Sequence, residues 1–145
     1  MNIKEKYLSV QLKDSEDLYH YITCFVNNIE SSLSKKEILK DIRKRDEMGE
    51  GLISSNGLII HIIDTKISQN RILYLSLEEK IEYFSKQEKR MFYINTVIVL
   101  IINPNFSLTG SNHLKKFLND KHLIWVFKTL LIKIFRDSRS KVLEE

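Results

Sequence analysis

The sequence predicts an α/β fold in which a mixed sheet is sandwiched between helices. Apolar residues recur at helical spacing near the N-terminus and in the last third, and β-branched runs lie between these segments. One of the runs, TVIVLII at 96–102, is apolar on both faces, as in a central strand covered by helices on both sides. The chain has 145 residues, of which 43% are hydrophobic, so residues 1–145 are predicted to form a single domain with one core.

Two helices are predicted before the first of these strands. Apolar residues from Leu18 to Ile29 have helical spacing and follow Asp14-Ser15, which can cap a helix. Ser34 with Glu37 three residues later matches a capping box, and the helix that begins there is expected to stop near Gly49.

The strands are predicted at 58–63, in RILYLSL at 71–77 and in TVIVLII, after a short extended segment, YLSVQL. The strands at 58–63 and 71–77 are candidates to pair with each other. The last third is predicted to be helical from Leu123 to Ile134, with a final short helix capped by Asp137.

Composition excludes several classes of protein. The only cysteine, Cys24, cannot form an intramolecular disulfide, and its apolar helical setting is typical of a buried thiol in a reducing compartment. The N-terminus has no signal-peptide pattern, and the longest apolar run is too short to span a bilayer. We therefore expect a cytoplasmic protein without membrane insertion.

The formal net charge of +4 is consistent with an acidic partner, but the basic residues are scattered among carboxylates. No nucleic-acid-binding motif is present, so nucleic-acid binding is only a weak alternative, which would require a contiguous positive face.

His61 is the residue that stands out, because it interrupts the aliphatic run GLIIHIID. Strand alternation places Leu58, Ile60 and Ile62 on one face, and His61 on the other with Ile59 and Ile63. A histidine among aliphatic residues is usually a satisfied core residue, so this pattern alone favours a structural role.

The longer segment RDEMGEGLISSNGLIIH, from Arg45 to His61, resembles the active-site segment of the fructose/mannitol-type enzyme IIA family of the bacterial phosphoenolpyruvate:sugar phosphotransferase system (PTS). SKKEILKDIRKRDE is similar to the family's preceding helix, TVIVLII to its central strand, and residues 121–145 to its closing helices. The resemblance covers nearly the whole chain and implies the fructose/mannitol IIA fold.

The resemblance also implies a site. His61 would accept a phosphoryl group from phospho-HPr, His122 would be the second active-site histidine, with His113 as its rival, and Arg45 would be the nearby cation. No cofactor or metal is implied. In the family the phosphoryl group then passes to a cysteine of a separate IIB domain.

The segment departs from the family at Glu50-Gly51, where the family has Ser-Thr, and at Ile60, where it has proline. A carboxylate should repel an incoming phosphate, which favours the regulatory domain of a PTS-controlled transcription regulator over a sugar-transport component. The alternative from another class is an unphosphorylated interaction module, which predicts an occluded His61 or a pocket filled by Ile60 and Glu50.

Overall fold

The computed structural model describes residues 3–106. The predicted C-terminal helices, His113 and His122 lie outside the described residues. The elements follow in the order β1 (Lys4–Val10), α1 (Ser15–Ile29), α2 (Lys35–Asp46), β2 (Gly57–Ile63), β3 (Arg71–Ser85) and β4 (Arg90–Ile102).

Both helices begin at the predicted caps. The Asp14 carboxylate accepts a hydrogen bond from the backbone N–H of Asp17 at 2.8 Å. The Ser34 hydroxyl accepts from the Glu37 N–H, and the Glu37 carboxylate accepts from the Ser34 N–H, each at 3.1 Å. These bonds satisfy amide groups that have no partner within the helix, so local sequence fixes both starting points.

The four strands form one mixed sheet in the order β1-β3-β4-β2. β1 runs parallel to β3, β3 runs antiparallel to β4, and β2 runs parallel to β4. The predicted pairing of β2 with β3 is therefore wrong, because the tight connection after Ser85 makes β3 the hairpin partner of β4 and leaves the far edge of β4 to β2. The predicted central position of TVIVLII is confirmed.

The predicted face alternation of β2 is also confirmed. Leu58, Ile60 and Ile62 belong to the core that α1 and α2 cover, together with Leu73, Leu75, Val97 and Val99 of the neighbouring strands. Ile59 and His61 point to the opposite face, where Ile98 and Leu100 are their partners on β4. These residues are buried as well, so β2 has apolar surroundings on both sides.

Strands β3 and β4 extend well beyond the strands that flank them. β1 pairs with β3 only as far as Leu77, and β2 pairs with β4 only from Thr96 onward. Residues 78–95 therefore form a two-stranded ribbon, with a register shift between Ser76 and Ile81 and a turn that ends at Lys89, whose φ is 56°. We refer to residues 78–95 as the ribbon.

Neither α1 nor α2, the helices within residues 3–106, is long and apolar enough to cross a membrane.

Candidate functional site

A short backbone bridge places the segment before β2 directly against that strand. The Ile59 N–H donates to the Gly51 carbonyl at 2.7 Å, and the Ile53 N–H donates to the Gly57 carbonyl at 3.0 Å. A Cβ at residue 51 would lie 1.8 Å from the Ile59 carbonyl oxygen. Only glycine permits this approach, so Gly51 is required where the loop meets Ile59, two residues before His61 in β2.

Arg45 occupies the last turn of α2 and is buried, with 3% of its surface exposed. Its Nη1 donates to the Gly49 carbonyl at 3.2 Å. This contact is the one expected of a cation at a helix C-terminus, where carbonyl groups lack helical partners. Arg45 also acts at longer range, because its charge lowers the pKa of His61.

His61 is 1% exposed, so it lies in the interior. Burial, and after it the positive charge of Arg45, lowers the pKa of His61 to about 3. The imidazole is therefore neutral at physiological pH. Its Nε2 atom is buried and has no hydrogen-bond partner within residues 3–106.

Glu50 is held at the base of the ribbon. Its carboxylate accepts hydrogen bonds from the Tyr83 hydroxyl at 2.7 Å, from the Ser85 hydroxyl at 2.6 Å and from the Lys86 N–H at 3.2 Å. Burial and the Glu50 charge raise the pKa of Tyr83. Glu50 thus joins the loop before β2 to the ribbon, a structural role that sequence reasoning missed.

Asp46 lies at the end of α2, close enough to Glu50 for the two charges to interact. Burial raises the pKa of Asp46 to about 6, while the Arg45 charge lowers it and the Glu50 charge raises it. Two carboxyl groups, those of Asp46 and Glu50, therefore lie in the region of Arg45. The Asp46 carboxyl is the one whose pKa is raised toward neutrality.

Ile60 does not fill the His61 side of the sheet. Its side chain is 1% exposed and lies in the core beneath the helices, on the face opposite His61. The predicted pocket filled by Ile60 and Glu50 is therefore wrong, because alternation turns Ile60 away and Glu50 is bonded to the ribbon. The other expectation of the interaction-module alternative, an occluded His61, matches its burial.

No family model and no curated protein matches the sequence. Solved structures do match. Nitrogen regulatory protein IIA-Ntr from Neisseria meningitidis aligns with a TM-score of 0.56 and 12% identity over 89% of this chain and 83% of that chain. A protein described as a PTS IIA, PtxA, from Streptococcus mutans aligns with a TM-score of 0.54 and 11% identity over 97% of this chain and 96% of that chain. The fold is that of PTS IIA proteins.

Within this IIA fold, two of the three predicted site residues, Arg45 and His61, lie among the described residues. His61 and Arg45 are both buried, and the charge of one acts on the pKa of the other. His122 and its rival His113 lie beyond the described residues. The described part of the candidate site holds a neutral imidazole, whose Nε2 has no hydrogen-bond partner in residues 3–106, and a buried guanidinium whose charge acts on that imidazole.

Proposed function

We propose that this protein is a PTS IIA-type phosphoryl acceptor that receives its phosphoryl group from phospho-HPr on His61. The observation that supports the proposal best is the state of His61: neutral, buried near Arg45, and with Nε2 free of hydrogen-bond partners among residues 3–106. A ring nitrogen can act as a nucleophile only when its lone pair is neither protonated nor engaged.

The proposed step is an in-line transfer between two imidazoles. The lone pair of His61 Nε2 attacks phosphorus, a new N–P bond forms, and the N–P bond of phospho-HPr breaks as the HPr imidazole leaves with its electron pair. Arg45 offsets the negative charge on the transferred oxygens, since a guanidinium suits phosphate geometry. His122 would donate to a phosphate oxygen or hold the His61 tautomer.

The burial of His61 sets a condition on this reaction. With 1% of its surface exposed, His61 can meet phospho-HPr only after the surrounding structure opens. Transfer that depends on opening is slow, and a sensor tolerates slow transfer better than a transport step does. We therefore propose that this chain is a regulatory domain of a PTS-controlled transcription regulator that acts in the cytoplasm. The alternative, a sugar-transport IIA component that passes the phosphoryl group to a IIB cysteine, fits the slow transfer less well.

One observation supports a second function. The occlusion of His61 is what an unphosphorylated interaction module requires, because such a module keeps the fold and binds a partner without chemistry. In that case the pair of Arg45 and His61 is structural, and the pKa of His61 reflects only its packing.

Intact-mass measurement after incubation with phosphoenolpyruvate, enzyme I and HPr separates the two functions. The sample is kept at neutral or higher pH because phosphohistidine is acid-labile. The phosphoryl-acceptor proposal expects a gain of one phosphoryl group that His61→Ala abolishes and that His20→Ala leaves unchanged, since His20 is an exposed residue of α1. No gain, under conditions that phosphorylate a competent IIA protein, supports the interaction module.

A further inference from the structure

The two faces of the ribbon have opposite character. One face is buried and carries Ile81, Ser85, Phe92 and Ile94. The other face exposes Phe84, Met91 and Tyr93, at 56%, 41% and 53% of their surfaces. Large side chains are exposed singly on many proteins, but three on one face of one hairpin form a surface that a partner can cover.

Strand register brings these three side chains together. Phe84 pairs directly with Met91, and Glu82 pairs directly with Tyr93 on the same face. Tyr93 is therefore the diagonal neighbour of Phe84, within reach of an aromatic side chain. The three form one patch, with the Glu82 carboxylate at its margin.

The charges of the ribbon are separated along its length. The base, residues 78–82, carries Glu78, Glu79 and Glu82 against one cation, Lys80, for a formal charge of −2. The tip, residues 86–90, carries three cations, Lys86, Lys89 and Arg90, against one carboxylate, Glu88, for a formal charge of +2. An acidic base and a basic tip thus flank the apolar patch at its two ends.

We propose that the exposed face of the ribbon binds the same face of a second copy of this chain. A two-fold axis that lies between the two faces and is perpendicular to the strands would make the two ribbons run antiparallel. Each basic tip would then lie over the acidic base of the other copy. The apolar patches would meet between them. A surface that is apolar at its centre and carries opposite charges at its ends is complementary to itself under this symmetry, as a two-fold interface requires.

The size of the patch indicates weak association. Each aromatic side chain buries about 150–250 Å² when fully covered, and these are already half covered, so each copy contributes a few hundred Å² of apolar surface. A stable interface buries about 800 Å² per partner. The dimer is therefore expected to be reversible, with a dissociation constant of about 10⁻⁵ to 10⁻⁴ M.

Analytical ultracentrifugation of the full chain over a concentration series tests the proposal. Wild type is expected to move from monomer to dimer as concentration rises to about 1 mM, and to dissociate as salt screens the charges. Phe84→Glu is expected to weaken the dimer at least about ten-fold without unfolding the protein, since Phe84 is exposed. Tyr7→Glu is the matched control and should leave the dimer unchanged, because it adds the same charge at a residue that is 52% exposed but lies on β1.

A charge exchange tests the antiparallel arrangement itself. Glu79→Lys combined with Glu82→Lys changes the base from −2 to +2 and is expected to weaken the dimer, because both ends are then positive. Adding Lys86→Glu and Lys89→Glu changes the tip from +2 to −2 and is expected to restore the dimer, because base and tip again differ in sign. Circular dichroism confirms that each variant is folded. A wild type that stays monomeric throughout, or a dimer unchanged by Phe84→Glu, would overturn the proposal. A four-fold charge-exchange variant that dimerises no more tightly than the variant with only the base reversed would overturn the arrangement.

Discussion

Replacing His61 with leucine is expected to change how the stability of the protein depends on pH. The pKa of the His61 imidazole is about 3 in the folded protein and 6.5 as a reference for the unfolded chain. Between these values the unfolded state binds a proton that the folded state does not, so acidification favours unfolding. The stabilising contribution is fully present above pH 6.5 and is lost as pH falls toward 3. Leucine has no titrating group and removes this dependence.

The size of the effect follows from the separation of the two values. One pH unit within this window is worth about 1.4 kcal/mol for one proton. From pH 8 to pH 5, His61 should therefore lower the free energy of unfolding of wild type by about 2 kcal/mol, and His61→Leu should lack this loss. The absolute stability of the variant does not enter, because only the change with pH is compared.

The assay is urea unfolding followed by far-UV circular dichroism at several pH values between 5 and 8. Other groups titrate in this range: burial and the neighbouring Asp64 raise the pKa of Asp41 to about 7, and burial raises that of Asp46 to about 6. Their effect has the opposite sign, since a raised carboxyl pKa adds stability at low pH, but both proteins share it and it cancels in the difference. Parallel profiles for wild type and His61→Leu would refute the buried neutral state of His61.

Three substitutions test the local structure around the site and its supporting helix, each by urea unfolding. Gly51→Ala is expected to cost about 3 kcal/mol or more, because its Cβ would meet the Ile59 carbonyl at 1.8 Å. Gly57→Ala meets side-chain atoms alone, the rotatable Ser54 hydroxyl at 2.8 Å and an Ile53 carbon at 3.3 Å, and should cost clearly less, so equal losses would contradict the bridge. Ser34→Ala should cost about 1 kcal/mol through the lost capping box, and a loss no greater than that of the exposed Ser32→Ala would contradict this. Glu50→Gln should cost about 1–3 kcal/mol, because Tyr83 and Ser85 donate to different oxygens of the carboxylate and one of these oxygens becomes an NH2 donor in glutamine. An unchanged stability would argue against those bonds.

Features that depend on neighbouring residues could be predicted from the sequence. The caps at Asp14 and Ser34 involve atoms three residues apart, and the structure has both. The alternation of β2 depends only on the period of a strand, which placed His61 opposite Ile60. The IIA fold was implied by the order and spacing of several weak segments, and the solved neighbours have that fold.

Features that depend on distant residues could not be predicted. The choice of β4 over β3 as the neighbour of β2 is decided by contacts between segments far apart in the chain. The ribbon was not predicted, because IEYF and MFYIN do not alternate between apolar and polar residues and the charged residues at its tip resemble a loop. The bonds from Tyr83 and Ser85 to Glu50 span 33 and 35 residues, so the structural role of this carboxylate left no local pattern.

The most direct measurement of the central claim is ¹H–¹⁵N NMR of the histidine ring nitrogens before and after incubation with phosphoenolpyruvate, enzyme I and HPr. The account predicts a phosphoryl-dependent shift at Nε2 of His61, the ring nitrogen without a hydrogen-bond partner in residues 3–106. A phosphoryl group on another histidine, or His61 resonances that do not change while HPr is phosphorylated, would contradict it.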